Sequence, residues 1–423
     1  MLSVAISTRF ERRGIHYGWM IAAVAFLTML VTAGTVGAPS VLMLPLQKEF
    51  GWEASEISAA LAIRFFLFGL MAPFAAALMN RYGLRRMTLT ALSVVFAGMG
   101  LSLFMREVWQ LIILWGFVVG IGTGLTAMVL GATIATRWFT ERRGLVIGIL
   151  TASTATGQLV FLPLIAAITE AGGWRIAVAF ILVMLSICAT GILLFMRDRP
   201  SDLGLRPYGQ LHEEPAPTGA IQSNSPIDAL IDASRTRVFW VLFLSFFVCG
   251  ASTNGLIQTH FVPLCADFGM TAITATSILA IVGIFDLVGT IASGWLSDRY
   301  DNRWLLFWYY GLRGLSLIWL PFTGFEFYGL AIFAIFYGLD WVATVPPTVK
   351  LTAQRFGRDR ANLVFGWVFT GHQIGAAFAA FGGGFIRDNY QSYLPALTIA
   401  GALCLLAAPL VLAGRGNRVQ ATA

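Results

Sequence analysis

Asp286, Arg313, Asp340 and His372 each stand inside a long apolar run, where a charge would have no water to face. Two carboxylates, a guanidinium and an imidazole can pair with one another, hold an anion, or carry a proton. An ionisable side chain at bilayer depth costs roughly 3 kcal/mol on insertion scales, so each is by default a functional candidate. Counted from the Arg-rich end of its run, Asp286 lies 11 residues in, Arg313 10, Asp340 12 and His372 11. At ~1.5 Å of helical rise per residue, all four fall about 15–18 Å deep, in one layer near the midplane. Two acids against one guanidinium leave a surplus, which makes Asp286 and Asp340 the proton-coupling candidates. Arg313 is a candidate to hold a substrate anion, its alternative being structural pairing with one of those acids.

Arg64 is the other buried cation, 16 residues before Asn80 and in the opposite half of its run. Its planar fork could take a carboxylate bidentately. The alternatives are snorkelling to the interface or pairing with Glu56. Neutral groups that could complete a binding site are His372 and Gln373 in one run, and Asn254, Gln258 and His260 in another. Lys350, one of only two lysines, follows Pro346-Pro347 near a run end and reads as an interfacial anchor or an anion contact. Thr28, Thr32 and Thr35 recur toward one side of the first run. Gly116, Gly120 and Gly124 have the spacing of close helix packing.

The elements that position these residues follow from composition. The 423 residues are 57% hydrophobic and only 12% charged, with a mean hydropathy of +0.77. A soluble domain carries about 25% charged residues, so soluble enzymes, nucleic-acid binders and disordered chains are excluded. The net charge of +7 is no nucleic-acid signal, because the Arg fall in short clusters between apolar stretches. Cys188, Cys249, Cys265 and Cys404 are scattered and read as reduced packing residues, with neither a disulfide framework nor a metal site. No Walker A, HExxH, paired CxxC or credible GxSxG is present, so neither a built-in ATPase nor an enzyme is expected, and no cofactor.

Twelve stretches are long enough to cross a bilayer, roughly 17–44, 55–79, 87–105, 108–136, 143–170, 174–196, 238–264, 272–297, 303–323, 326–352, 361–386 and 391–413. They predict an all-α membrane protein. If the N-terminus is cytoplasmic, 21 Lys and Arg fall on the inner side and four (Lys48, Arg106, Arg175, Arg387) on the outer, which predicts cytoplasmic termini. Residues 197–237 hold Pro200, Pro207, Pro215, Pro217 and Pro226 among mixed charges and read as a tether between six-helix units at 1–196 and 238–423.

The two units repeat. Pro45 to Gly51 matches Pro263 to Gly269, Leu78 to Arg85 matches Leu296 to Arg303, and Arg137 to Gly148 matches Arg355 to Gly366, all at an offset of 218. A shift by six spans preserves orientation, so these are parallel repeats, the build of carriers that bind substrate between halves and expose it alternately.

Gly294-Trp295-Leu296-Ser297-Asp298-Arg299 resembles the loop 8–9 signature of the major facilitator superfamily, and Leu78 to Arg86 its loop 2–3 copy with Asn80 in place of the usual acid. Tyr17-Gly18-Trp19, Arg137-Trp138-Phe139 with Arg143-Gly144-Leu145, and Arg199 to Gly209 resemble the monocarboxylate and oxalate/formate branch. That branch often places Asp-x-x-x-Arg in helix 8; here Asp286 matches the acid and Thr290 stands where the Arg would be. The resemblance implies gating by Asp298, Arg299, Arg303 and Arg81, with Asn80 making the gate asymmetric.

Together these readings predict a secondary transporter of a small organic anion, coupled to protons or working by exchange. It is expected in the inner or plasma membrane and to act as a monomer. The alternative is an exporter of amphipathic drugs or metabolites, favoured by the Phe-rich helices and Thr290.

Overall fold

The structure is a computed structural model and describes residues 7, 8, 10, 12, 14–126, 128–210 and 225–413. Arg9 and Arg13, and the side chain of Asn80, lie outside the described residues. Long apolar runs can satisfy their backbone in lipid only as helices or closed barrels, and here all are helical. The segments are α1 (Gly18–Phe50), α2 (Ala54–Tyr82), α3 (Leu84–Ser102), α4 (Val108–Trp138), α5 (Arg143–Gly172) and α6 (Trp174–Phe195). The second set is α7 (Arg237–Asp267), α8 (Ala272–Ser297), α9 (Asn302–Trp319), α10 (Phe327–Phe356), α11 (Arg358–Tyr390) and α12 (Leu394–Leu412).

Among the described residues ten are long and apolar enough to span a membrane on their own; α5 offers two shorter apolar pieces, and the 18 residues of α9 include Arg303 and Arg313. Displaced by 218 residues, each helix of the first set begins and ends within three residues of its counterpart in the second. The periodicity of the sequence is thus a periodicity of structure.

Each set buries its own core. One apolar cluster joins α1 through α6 around Trp115 and Trp138, and two others occupy the second half around Phe333 and Phe246. The halves meet chiefly along two seams, α2 against α11 and α5 against α8, with the end of α7 also touching α1.

The described parts of the linker, residues 197–210 and 225–236, dock on the two halves. Residues after α6 fold back on the first half: the Tyr208 N–H donates to the Trp138 carbonyl at 2.9 Å, and the Tyr208 carbonyl accepts from Thr140 and Glu141. Gly209 holds φ at +84°, and a Cβ there would run into Glu141, so glycine is required at this turn. Asp198 accepts the Arg85 N–H at 2.7 Å and so caps the start of α3. At the other end, the helix Pro226–Ser234 docks on the second half, with the Pro226 carbonyl accepting from Trp367 Nε1 at 2.7 Å and Asp232 pairing with Arg360 at 3.2 Å.

Candidate functional site

Three of the four midplane charges converge on a break in α10. Its helical pieces are Phe327–Asp340 and Val345–Phe356, with a turn between them. Proline supplies no N–H, so Pro346 and Pro347 cannot close the α-helical bonds to residues four before them. The turn tightens instead: Trp341 N–H donates to the Gly338 carbonyl and Val345 N–H to the Val342 carbonyl. This leaves the Val342 N–H and the carbonyls of Asp340, Trp341 and Ala343 without helical partners, which side chains from the packed helices then supply. Arg313 of α9 donates to the Asp340 carbonyl at 2.5 Å and the Trp341 carbonyl at 3.1 Å. Ser293 of α8 donates to the Ala343 carbonyl at 2.5 Å, and Asp286 of α8 accepts the Val342 N–H at 3.0 Å. The Val342 N–H and the carbonyls of Asp340, Trp341 and Ala343 are thereby covered, as burial demands.

The charges are held in the same clamp. Arg313 Nε donates to Asp340 Oδ2 at 2.6 Å and Nη1 to the Cys249 sulfur at 2.9 Å; the guanidinium is fully buried. Cys249 also meets the Thr344 hydroxyl at 3.3 Å. Asp340 Oδ1 is buried without a hydrogen-bond partner. Thr290 donates to Asp286 at 3.0 Å, so the residue in the place of the branch's helix 8 Arg is a neutral donor to the same carboxylate. Arg313 therefore makes four hydrogen bonds within its own half, whereas Asp286 receives only neutral donors.

A second set of polar groups lies along α2, α7 and α11. Arg64 is 3% exposed, its guanidinium lies 5.0 Å from the Phe65 ring centroid, and its Nε has no hydrogen-bond partner. Glu56 is engaged in the cap of its own helix, accepting the Glu53 N–H at 2.9 Å. No described acid pairs with Arg64. Across the seam, Thr370 donates to the Gly69 carbonyl at 3.1 Å, and Gly69 leaves room for the Gln373 side chain. Gln373 Oε1, His372 Nδ1 and both polar atoms of Gln258 are buried without partners.

His372 stacks on Phe369 at 5.7 Å, and its backbone carbonyl lies against Gly250, the neighbour of Cys249, which joins this set to the α10 clamp. Asn254 and Gln258 sit in a π-helical stretch of α7, Ala251–Gln258. Such stretches recur at functional sites because they re-aim side chains. His260 is committed elsewhere, its Nε2 2.7 Å from the Ala380 carbonyl. Thr28, Thr32 and Thr35 bond carbonyls one turn back in α1 and are locally satisfied.

At the Arg-rich face, Asp298 pairs with Lys350 at 2.8 Å, and Lys350 also donates to the Ser297 carbonyl at 2.7 Å. Lys350 is thus a tie between the ends of α8 and α10. Its hydrogen bond and charge hold the Asp298 carboxyl below the usual range. Arg299 lies over Trp295 at 3.9 Å and Arg81 over Tyr82 at 5.3 Å, while the Arg303 backbone N–H is capped by Asp301. The gating candidates so placed contact their own halves.

By sequence alone, α10 reads as one span and Cys249 as a packing residue. The signal was present in Pro346-Pro347, whose missing donors predict a break, but which side chains would cover it depends on helix packing.

Comparison with known proteins agrees with this architecture. The family model described as Major Facilitator Superfamily matches residues 21–380 and again 261–421. Monocarboxylate transporter 13 of Rattus norvegicus is 25% identical over 396 residues, covering 92% of this chain and 87% of that protein. An uncharacterized MFS-type transporter, YcxA of Bacillus subtilis, is 24% identical over 358 residues, covering 83% and 84%. MFS-type transporter hasB of Aspergillus fumigatus is 27% identical over 428 residues, covering 96% and 89%. Among solved structures, a bacterial homologue of the human lysosomal transporter Spinster superposes with a TM-score of 0.75 at 15% identity, covering 95% of this chain and 98% of that one, and shares the fold. Two six-helix repeats, matched by the family model over most of the length, make this chain a member of the major facilitator superfamily.

Proposed function

We propose that this multi-pass membrane transporter carries a small organic anion of the monocarboxylate type by alternating access, coupled to proton movement or to exchange. The observation that carries the reading is Arg64, a buried guanidinium with no described acid paired to it, beside a seam where His372, Gln373 and Gln258 leave polar atoms unpartnered. A buried charge without a partner is costly, and a substrate carboxylate would relieve that cost through two parallel N–H···O bonds. With Arg64 on one half and neutral donors on the other, a bound anion would bridge the halves. Relatives that bear the name monocarboxylate transporter support the substrate class.

Arg313 is assigned to positioning, because its hydrogen bonds are spent on the α10 break. Asp286 is the preferred proton carrier over Asp340, which the guanidinium holds at 2.6 Å. A proton on Asp286 would weaken its acceptance of the Val342 N–H and loosen the break in α10, linking proton uptake to a hinge in that helix. Cytoplasmic termini and a monomeric state belong to the same proposal.

Uptake of labelled mono- and dicarboxylates into proteoliposomes, with and without an inward proton gradient, tests it. Gradient-driven uptake of one acid, abolished in Arg64→Gln and uncoupled from the gradient in Asp286→Asn, is expected. Absence of carboxylate uptake under both conditions refutes it. Thr290 favours a second reading, export of amphipathic compounds, since helix 8 offers no cation to an acid. Lipophilic cations raising the melting temperature, with short carboxylates inert, would establish that alternative.

A further inference from the structure

The two seams carry a pair of contacts that substrate binding does not explain. Asp388, at the end of α11, reaches into the other half: its Oδ1 accepts the Ala54 N–H at 3.1 Å and its Oδ2 the Ser55 N–H at 2.7 Å. Glu170, at the end of α5, likewise accepts the N–H of Ile273, the second residue of α8, at 3.4 Å. The repeat offset of 218 converts residue 170 into 388 and 55 into 273. One interaction is therefore made twice, once on each seam.

The donors involved have no other source of satisfaction. The first N–H groups of a helix lack intrahelical acceptors, and the positive end of the helix favours a carboxylate. In α2 the remaining first-turn donors are served locally by the reciprocal Glu53 and Glu56 cap, and in α8 the Thr274 N–H is served by Thr271 at 3.2 Å. In α2 the opposite half covers both leftover donors, those of Ala54 and Ser55, and in α8 it covers that of Ile273. Asp388 is not neutralised by its neighbour, since Arg387 is paired with Asp267 at 2.8 Å. One turn before Asp388, Gly384 brings α11 against Ser58 and the Ala54 carbonyl, and Ser58 is fully buried there. At this face α2 and α11 cannot separate without breaking both Asp388 bonds, and α5 and α8 cannot separate without losing Glu170.

We propose that Asp388 and Glu170 form a two-fold latch that holds shut the face opposite the Arg-rich loops and releases each time that face opens. The latch rests on alternating access but not on any substrate. It places one bond set at each edge of the halves, so both must let go together.

The test introduces Ser58→Cys as a reporter and follows its labelling by a membrane-impermeant maleimide in purified, nanodisc-embedded protein without substrate. The four native cysteines are buried and report any loss of fold. With Asp388→Asn and Glu170→Gln together, reporter labelling is expected to rise about fivefold, equivalent to about 1 kcal/mol at 1.4 kcal/mol per tenfold, while the native cysteines stay protected. Glu170→Gln alone should give a smaller rise, and Asp388→Glu should remain near wild type. Unchanged labelling in the double variant, or a rise matched by the native cysteines, overturns the latch. Neither result depends on carboxylate uptake, so the latch and the substrate assignment fail separately.

Discussion

Replacing Arg313 with Met tests whether the charges around α10 are scaffolding. The substitution keeps an unbranched stem as far as the position of Nε and removes the guanidinium. Asp340 then loses its only ion pair in a site where its side chain is 9% exposed, and the carbonyls of Asp340 and Trp341 lose the donors that cover the break. Removing one partner of a buried pair costs about 3–5 kcal/mol. Each orphaned carbonyl adds about 1 kcal/mol at the low end of the range for an unsatisfied polar group, giving about 5–7 kcal/mol in all. Adding Asp340→Leu removes the stranded carboxylate and leaves only the carbonyls uncovered. The double variant should therefore be more stable than Arg313→Met alone by about 2 kcal/mol or more, a coupling in the range measured for residues in contact. Thermal unfolding in detergent, followed by a thiol-reactive dye that reads exposure of the four buried cysteines, measures both. Melting of Arg313→Met within about 1 °C of wild type would refute the clamp, because several kcal/mol must move the midpoint further. A double variant as unstable as the sum of its singles would show that the pair does not act as a unit.

Pro347→Ala restores an N–H that can reach the Ala343 carbonyl and compete with Ser293; transport should slow while the melting temperature holds or rises, read by uptake and a thermal shift in parallel. Arg64→Lys keeps the charge but loses the fork, so KM for a carboxylate substrate should rise about tenfold or more, consistent with loss of charge-assisted bidentate bonding. Asp298 titrates below its ordinary value of 3.8 because Lys350 favours its charged form. The tie between α8 and α10 is therefore complete above that ordinary value and lost as pH falls through the lower folded value. Hydrogen exchange at the end of α8, corrected for its intrinsic pH dependence, should be faster at pH 3 than at pH 5, and Asp298→Asn should abolish the difference.

Much of this architecture was legible in the chain itself. The apolar run length dictates helices because lipid offers the backbone no other partner, and the 218-residue offset dictates two like halves because equal sequences fold alike. Both follow from local physics and need no knowledge of which helices touch. Depth along a helix is also local, so Asp286, Arg313 and Asp340 could be placed in one layer by counting residues. Rotation about the helix axis and the choice of neighbour are not local. Only the packed bundle turns Arg313 toward Asp340, gives Cys249 and Ser293 their roles, and makes Thr290 a donor to Asp286. Only the bundle leaves Arg64 without a partner among the described acids and carries Asp388 across to Ala54 and Ser55, 333 or more residues away in sequence. The residues that could act were decided by the sequence; their partners were decided by the tertiary structure, because a hydrogen bond reaches about 3 Å and only folding brings such distant groups that close.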